Sequence, residues 1–286
     1  PMGPGSDSEV ISIQFGKYTT NLVDSSQFGF EPLMFHINKA YCYLPSMRGE
    51  DPDDRHLNQF FHCEAEIVGT LDELLPFVEG YIQALAKTLI SLTPIIELMS
   101  IDFSKTEQAL QNIINAKSFN KNTFDEVYPL LLKDSSFHSV SDFGRNITNS
   151  GEVAIVQAMG DSLPLWLCNY DRDTVAFYQK PNPKNTNSVI NADLLFTPIV
   201  EGGFGGEIVG AGQRQDNAEE ITESLKRQGI DGNPYEWYIN LRKQPNYKTT
   251  SGFGIGIERF ITWALGYSDI KNVIHYPRLK NINTIP

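Results

Sequence analysis

Ser251-Gly-Phe-Gly-Ile-Gly-Ile-Glu-Arg-Phe260 decides the fold, together with the stretch that follows it, Trp263-Ala-Leu-Gly-Tyr-Ser-Asp-Ile-Lys-Asn-Val-Ile-His-Tyr-Pro-Arg278. Phe253 to Gly266 begins as a glycine-rich strand and continues as a helix. Glycines let a backbone approach a ligand closely, and an arginine at the start of a helix meets phosphate there. A dinucleotide-binding reading of the glycines needs a following βαβ unit and an acidic residue about 20 positions on. Neither is present in convincing form.

Upstream, Ala40 to Met47 and Phe60 to Val68 alternate apolar and polar residues around a polar stretch, Asp51 to Asn58, which predicts a long antiparallel hairpin with a charged tip. Thr70-Leu-Asp-Glu73 offers a capping box, and Leu71, Leu74, Leu75, Val78, Tyr81, Ile82, Leu85 and Leu89 recur at helical spacing. Lys105 to Ser141 carries helical patterns broken by Asn and Ser, and Asn146 to Gly151 is turn-rich, so residues 101–150 read as a connecting helical region. Strand-like runs follow at Leu163 to Asn169, Thr174 to Gln179, Ile190 to Leu195 and Glu207 to Val209. Helices are expected at Glu219 to Gln228 and Pro234 to Lys243. The expected class is α+β: one antiparallel sheet flanked by helices, with the helices on one side. Residues 7–286 are expected to form a single domain, and Pro1 to Ser6 (PMGPGS) reads as a cloning scar.

The composition allows a large core and narrows the partners. The chain has 286 residues, 41% of them hydrophobic, enough for one large domain. Asp and Glu outnumber Lys and Arg by 35 to 23, a formal net charge of −12. Such a surface does not attract phosphodiester backbones, and Lys180 and Lys184, Lys226 and Arg227, and Arg242 and Lys243 are scattered rather than gathered into a basic stripe. Cys42, Cys63 and Cys168 form no CxxC pair, so neither a disulfide framework nor a zinc site is suggested. No run approaches the roughly 18 apolar residues of a membrane helix and no secretory pattern opens the chain, so no membrane partner and a cytoplasmic location are expected.

A second block carries chemistry: Met47-Arg-Gly-Glu50, the loop Asp51 to Arg55, then His56-Leu-Asn-Gln-Phe-Phe-His-Cys-Glu-Ala-Glu66. It resembles motif 2 of the class II aminoacyl-tRNA synthetases, and the stretch from Ser251 to Arg278 resembles motif 3 down to its closing Pro-Arg. The resemblance implies ATP as a substrate, with Arg48 on the α-phosphate and Arg259 on the γ-phosphate. A planar guanidinium fork suits that task because it binds two oxygens and follows charge as it develops. Glu50 and His56 would lie by the adenine and triphosphate, Phe60 would stack on the adenine, Gly256 would belong to the ATP site, and Glu64 would meet the substrate α-ammonium. Bland alternatives stay open: His56 as a loop histidine, Phe60 and Phe61 as alternating core and surface, Asp51, Asp53 and Asp54 as a solvated turn.

Ala192-Asp193-Leu-Leu and Gly206-Glu-Ile-Val-Gly-Ala-Gly-Gln-Arg214 narrow the resemblance to the asparaginyl and aspartyl branch, closer to the asparaginyl. It implies Mg²⁺ on Asp193 and Glu207, since hard oxygen ligands bridge that ion to phosphates. Arg214 would bind a side-chain carbonyl or carboxylate, and Gln27, in Ser25-Ser-Gln-Phe28, would contact the amino acid. The match covers Asp24 to Arg278 with departures. The anticodon-binding domain and a recognisable motif 1 are missing, so a homodimer is implied by the family alone. Gln59 and Gln215 stand where acids are usual, Gly212 replaces a Ser, and Val200 to Gly205 is a Gly-rich insertion that could cover the site or alter the metal geometry.

The function expected first is an asparaginyl-type paralogue that forms an aminoacyl-adenylate from Asn, Asp or an analogue. It would pass the acyl group to an amine, such as ammonia in an asparagine synthetase or a biosynthetic amine. The alternatives are an asparagine-tRNA ligase acting without its own anticodon domain, and an inactive synthetase-like regulatory binding protein.

Overall fold

The alternation at 40–68 folds as read, and the rest of the sheet is laid against it. In the computed structural model, which describes residues 9–283, the chain runs β1 (Ser12–Phe15), β2 (Tyr18–Asn21), α1 (Gln27–Leu33), β3 (Lys39–Met47), β4 (Gln59–Val68), α2 (Leu71–Ser91), α3 (Thr93–Met99), α4 (Phe103–Asn115), β5 (Asn120–Thr123), α5 (Phe124–Leu131), β6 (His138–Ser141), β7 (Gly144–Ile147) and α6 (Asn149–Met159). It continues as β8 (Leu165–Cys168), β9 (Pro181–Asn182), β10 (Asn185–Val189), β11 (Asn191–Phe196), β12 (Gly206–Gln213), α7 (Ala218–Arg227), α8 (Glu236–Leu241), β13 (Thr250–Gly256) and α9 (Ile257–Leu265). The PMGPGS stretch read as a cloning scar lies outside the described residues.

Seven strands form the central sheet in the order β3-β4-β13-β12-β11-β8-β5. All neighbours are antiparallel except the last pair, where β5 runs parallel to β8 from Asn120 opposite Leu165 to Thr123 opposite Cys168. The stretch read as a connecting region therefore contributes an edge strand. β5 is short and polar (Asn-Lys-Asn-Thr), which hides it from any apolar periodicity.

One face of the sheet buries Ala65, Ile67, Trp166, Leu194, Val209, Phe253 and Ile255 against α2, α4 and α9. α2 starts where its capping box was read, with the Thr70 N–H donating to Glu73 Oε2 at 2.7 Å, and buries Leu71, Leu74, Leu75, Val78 and Ile82. The other face is not bare, a correction to the expectation of helices on one side. α5 and α6 close over Leu165, Leu167 and Leu195, while α1, α7 and α8 gather Phe28, Phe177, Tyr178, Ile221 and Tyr238. A cleft remains between these two covers.

Two further stretches differ from expectation. The run Thr174 to Gln179 forms no strand, because Phe177 and Tyr178 turn into the aromatic cluster around Phe28 and Tyr235 instead of joining a ladder. Turn-rich Asn146 to Gly151 leads directly into α6, whose first turn is capped by Thr148 accepting from the Gly151 N–H at 3.2 Å. Among the described residues no single helix is long and apolar enough to cross a membrane.

Candidate active site

Alternation along β4 sends Ala65 and Ile67 into the core and turns Phe60, His62 and Glu64 into the cleft. On neighbouring β13 the corresponding positions are Gly252, Gly254 and Gly256, which pair with Glu66, Glu64 and His62. A Cβ at Gly252 would stand 2.0 Å from Glu66 Oε2 and 2.3 Å from Arg214 Nη2. The glycine run thus leaves room for an ion pair as well as for a ligand. The cleft holds about 570 Å³, and its lining includes every candidate read from the sequence: Gln27, Arg48, Glu50, His56, Phe60, Glu64, Asp193, Glu207, Arg214, Gly256 and Arg259.

Two guanidiniums converge on one end. Arg48 follows β3, donates from Nε to Asp24 Oδ1 at 2.7 Å, and lies 5.3 Å from the centre of the Phe60 ring. Arg259, in the first turn of α9, donates from Nη1 to Glu207 Oε2 at 3.0 Å. Glu207 reaches this face because the β11–β12 ladder slips: Leu194 pairs with Val209 but Leu195 with Glu207, leaving Ile208 as the extra residue. Across the ladder Asp193 stands opposite Gly210, and a Cβ on that glycine would lie 3.3 Å from Glu207 Oε1 and 3.6 Å from Asp193 Oδ1.

Glu152, at the start of α6, joins them by accepting the Glu207 backbone N–H at 2.9 Å. Burial, then the charges of Glu207 and Glu152, push the Asp193 carboxyl well above its ordinary range. Burial likewise raises Glu152, with Glu207 adding to it. For Glu207 burial is outweighed by Arg259, with Arg55 and Arg48 assisting, and its pKa falls. The two carboxylates read as metal ligands thus share a face, and their hard oxygens suit a divalent cation that takes its other oxygens from phosphate and water, while the arginines beside them suit the phosphates themselves. Among the described residues no cluster of three or more His, Cys, Asp or Glu side chains is arranged to hold a metal alone.

The hairpin loop adds a third arginine that the sequence reading passed over. Arg55 Nη1 donates to the Gly205 carbonyl at 2.5 Å, and its guanidinium packs 4.3 Å from the centre of the Phe204 ring. Burial, with Arg259 nearby, lowers its pKa to about 10. The Val200–Gly205 stretch, expected to cover the site or alter the metal geometry, buries Phe204 and anchors this loop. His56 sits at the rim, 2.8 Å from Asp53, whose carboxylate also accepts the N–H groups of Arg55 and His56. Asp53 is therefore a loop organiser rather than only a solvated charge.

At the other end Glu64, fully buried, accepts from Ser25 Oγ at 2.5 Å, Ser26 Oγ at 2.5 Å and the Ser26 N–H at 2.7 Å. This fixes a carboxylate beside Gln27, which accepts from Tyr178 OH at 3.2 Å. Arg214 and Glu66 form a buried pair with contacts of 2.8–3.2 Å. Glu66 was missed, although it continues the two-residue spacing of Phe60, His62 and Glu64. Asp24, Glu152 and Gln179 were missed because each enters from a distant segment without a pattern.

His62 yields a test. Burial, then Arg48 and Arg259, depress its pKa from 6.5 to about 3. The unfolded chain binds this proton first, so the neutral ring's contribution is complete above pH 6.5 and is lost as pH falls towards 3, at about 1.4 kcal/mol per unit. Urea titrations at pH 7 and pH 5 should find His62→Asn losing roughly 2 kcal/mol less than wild type between them. Equal losses would exclude this account.

Known proteins share this fold. Residues 6–280 match the model of the family described as tRNA synthetases class II (D, K and N). The protein of Enterocytozoon bieneusi named probable asparagine–tRNA ligase, cytoplasmic, is 29% identical over 268 residues, 90% of this chain and 54% of that protein. The asparaginyl-tRNA synthetase of Pyrococcus horikoshii complexed with asparaginyl-adenylate superposes with a TM-score of 0.84 at 24% identity, over 97% of this chain and 61% of that one. The Entamoeba histolytica asparaginyl-tRNA synthetase, also with asparaginyl-adenylate, gives 0.78 at 25% identity, over 98% and 62%. The chain thus spans little more than half the length of these relatives.

Proposed function

The chain belongs to the class II tRNA synthetases of the D, K and N group, and from that premise we propose that its cleft joins asparagine to ATP. The substrate carboxylate attacks the α-phosphorus, the bond to the β-phosphate oxygen breaks, and pyrophosphate leaves. The observation that carries the reading is the convergence of Arg48, Arg259, Glu207 and Asp193 at one end of a cleft whose other end holds Glu64 and Arg214, the latter paired with the buried Glu66. Arg48 would take the α-phosphate and Arg259 the γ-phosphate, with Phe60, Glu50, His56 and Gly256 around the adenine and triphosphate. Glu64, held ready by Ser25 and Ser26, would receive the α-ammonium, and Gln27 the neighbouring backbone atoms of the amino acid.

Asp193 and Glu207 would hold Mg²⁺, which when bound neutralises charge on the departing pyrophosphate. No side-chain nucleophile is required; positioning and charge stabilisation supply the rate. The Glu66–Arg214 pair favours asparagine over aspartate, because its charges cancel and a second buried carboxylate there would have no cation of its own.

For the second step we take tRNA as the acceptor, supported by the E. bieneusi relative. Its cytoplasmic compartment and a homodimeric state belong to the same proposal, the latter supported by edge strand β3, where Tyr41 is 82% exposed. A free amine is the second reading, favoured by the net charge of −12. Amino-acid-dependent exchange of pyrophosphate into ATP tests the first step, with asparagine expected to support exchange at least about 100-fold better than aspartate. No exchange with any amino acid would leave a synthetase-like binding protein. Charging of purified tRNA compared with amide formation from ammonia separates the acceptors.

A further inference from the structure

Gly212 on β12 and Gly252 on β13 face each other across the ladder, leaving two adjoining slots in the cleft wall. Over Gly252 lie Glu66 and Arg214. Over Gly212 lies the carboxamide of Gln179, whose Oε1 stands 1.9 Å and Nε2 2.7 Å from where a Cβ would be. Three polar groups therefore form one patch, and Gln179 and Arg214 both line the cleft.

Two members of the patch satisfy each other. The third does not: Gln179 Oε1 is fully buried and meets no hydrogen-bond donor among the described residues. Its backbone is anchored, with the Gln179 N–H donating to Ala176 O at 3.0 Å and the Lys180 N–H to Gln213 O at 2.9 Å. The side chain is thus held where its acceptor goes unused, and native proteins keep few such atoms without a reason.

We propose that Gln179 is a specificity residue, accepting a hydrogen bond from the side-chain amide N–H of the amino-acid substrate beside the Glu66–Arg214 pair. The inference rests on the reading of the cleft as an asparagine-activating site. A carboxylate in the same place would turn oxygen lone pairs towards Oε1, so the residue both favours an amide and disfavours an acid.

Gln179→Met keeps length and volume and removes the acceptor. In pyrophosphate exchange its KM for asparagine is expected to rise about tenfold while the KM for ATP stays within about twofold, the signature of one lost hydrogen bond to one substrate. The melting temperature of the ligand-free protein is expected to hold or rise, because an orphaned acceptor has been removed. Gly212→Ala, which places a methyl where Oε1 sits, should reproduce the KM change, and the double variant should be no worse than either single one.

Calorimetric titration of asparagine alone gives a readout independent of catalysis, with affinity expected to fall about tenfold in Gln179→Met. An unchanged asparagine affinity in that variant overturns the proposal, as does a lowered melting temperature with both KM values raised equally. A wild type that binds asparagine but supports no exchange removes the activation reading, while the titration still judges Gln179.

Discussion

On the proposed function, Arg259→Ala is expected to lower asparagine-dependent exchange of pyrophosphate into ATP by about 10³-fold, the scale seen when a preorganised charge is removed from a reacting phosphate or oxyanion. The expectation follows from what holds the guanidinium. Its Nη1 is tied to Glu207 Oε2 at 3.0 Å, and it emerges from the first turn of α9, whose N-terminal amides add positive potential. Arg259 is the foremost of the cations that together offset the burial of Glu207, so its loss leaves that carboxylate beside Asp193 and Glu152 with less to offset it. Arg259→Lys keeps the charge but not the fork, and is expected to recover only about a tenth of the lost rate. Exchange within tenfold of wild type for Arg259→Ala, at unchanged melting temperature, would place the reacting phosphates elsewhere.

The same residues explain how much was legible beforehand. The β4 hairpin, α2 and the β13–α9 junction were readable because each has a strong local signal: strict alternation, a capping box, or glycines leading into an apolar helix. The convergence of Arg48 and Arg259, 211 positions apart in sequence, came from resemblance to known motifs, since no local rule joins them. The hidden parts were those whose conformation is set by tertiary packing. Thr174–Gln179 has a strand composition, yet Phe177 and Tyr178 gain more from the Phe28 cluster than from a ladder. The β1–β2 hairpin and β5 are too short and polar to register. Asp24, Glu152 and Gln179 could not be read as site residues, because their meaning lies in the atoms they meet: Arg48 Nε, the Glu207 amide and the vacant side of Gly212.

Glu31→Ala is expected to cost about 3–5 kcal/mol of folding stability, lowering the melting temperature by roughly 10 °C. Glu31 lies on α1, 1% exposed, and accepts from Arg242 Nη2 at 2.5 Å, Tyr247 OH at 3.1 Å and Tyr238 OH. Burial pushes its carboxyl above the ordinary range against the pull of Arg242. The intact network therefore adds little net stability, but half of it is far worse than none. In Glu31→Ala the Arg242 guanidinium stays buried, bonded to the carbonyls of Gln215 and Tyr238 and to no carboxylate. Glu31→Ala/Arg242→Met should recover most of the loss, because it removes the uncompensated charge. Denaturant titration of both proteins decides: a double variant less stable than the single one would mean that Arg242 acts through packing alone. The helix at stake begins at Gln27, directly after the serines that grip Glu64. Loosening α1 should therefore raise the KM for asparagine more than that for ATP, linking a buried ion pair one turn along α1 from Gln27 to the amino-acid end of the cleft.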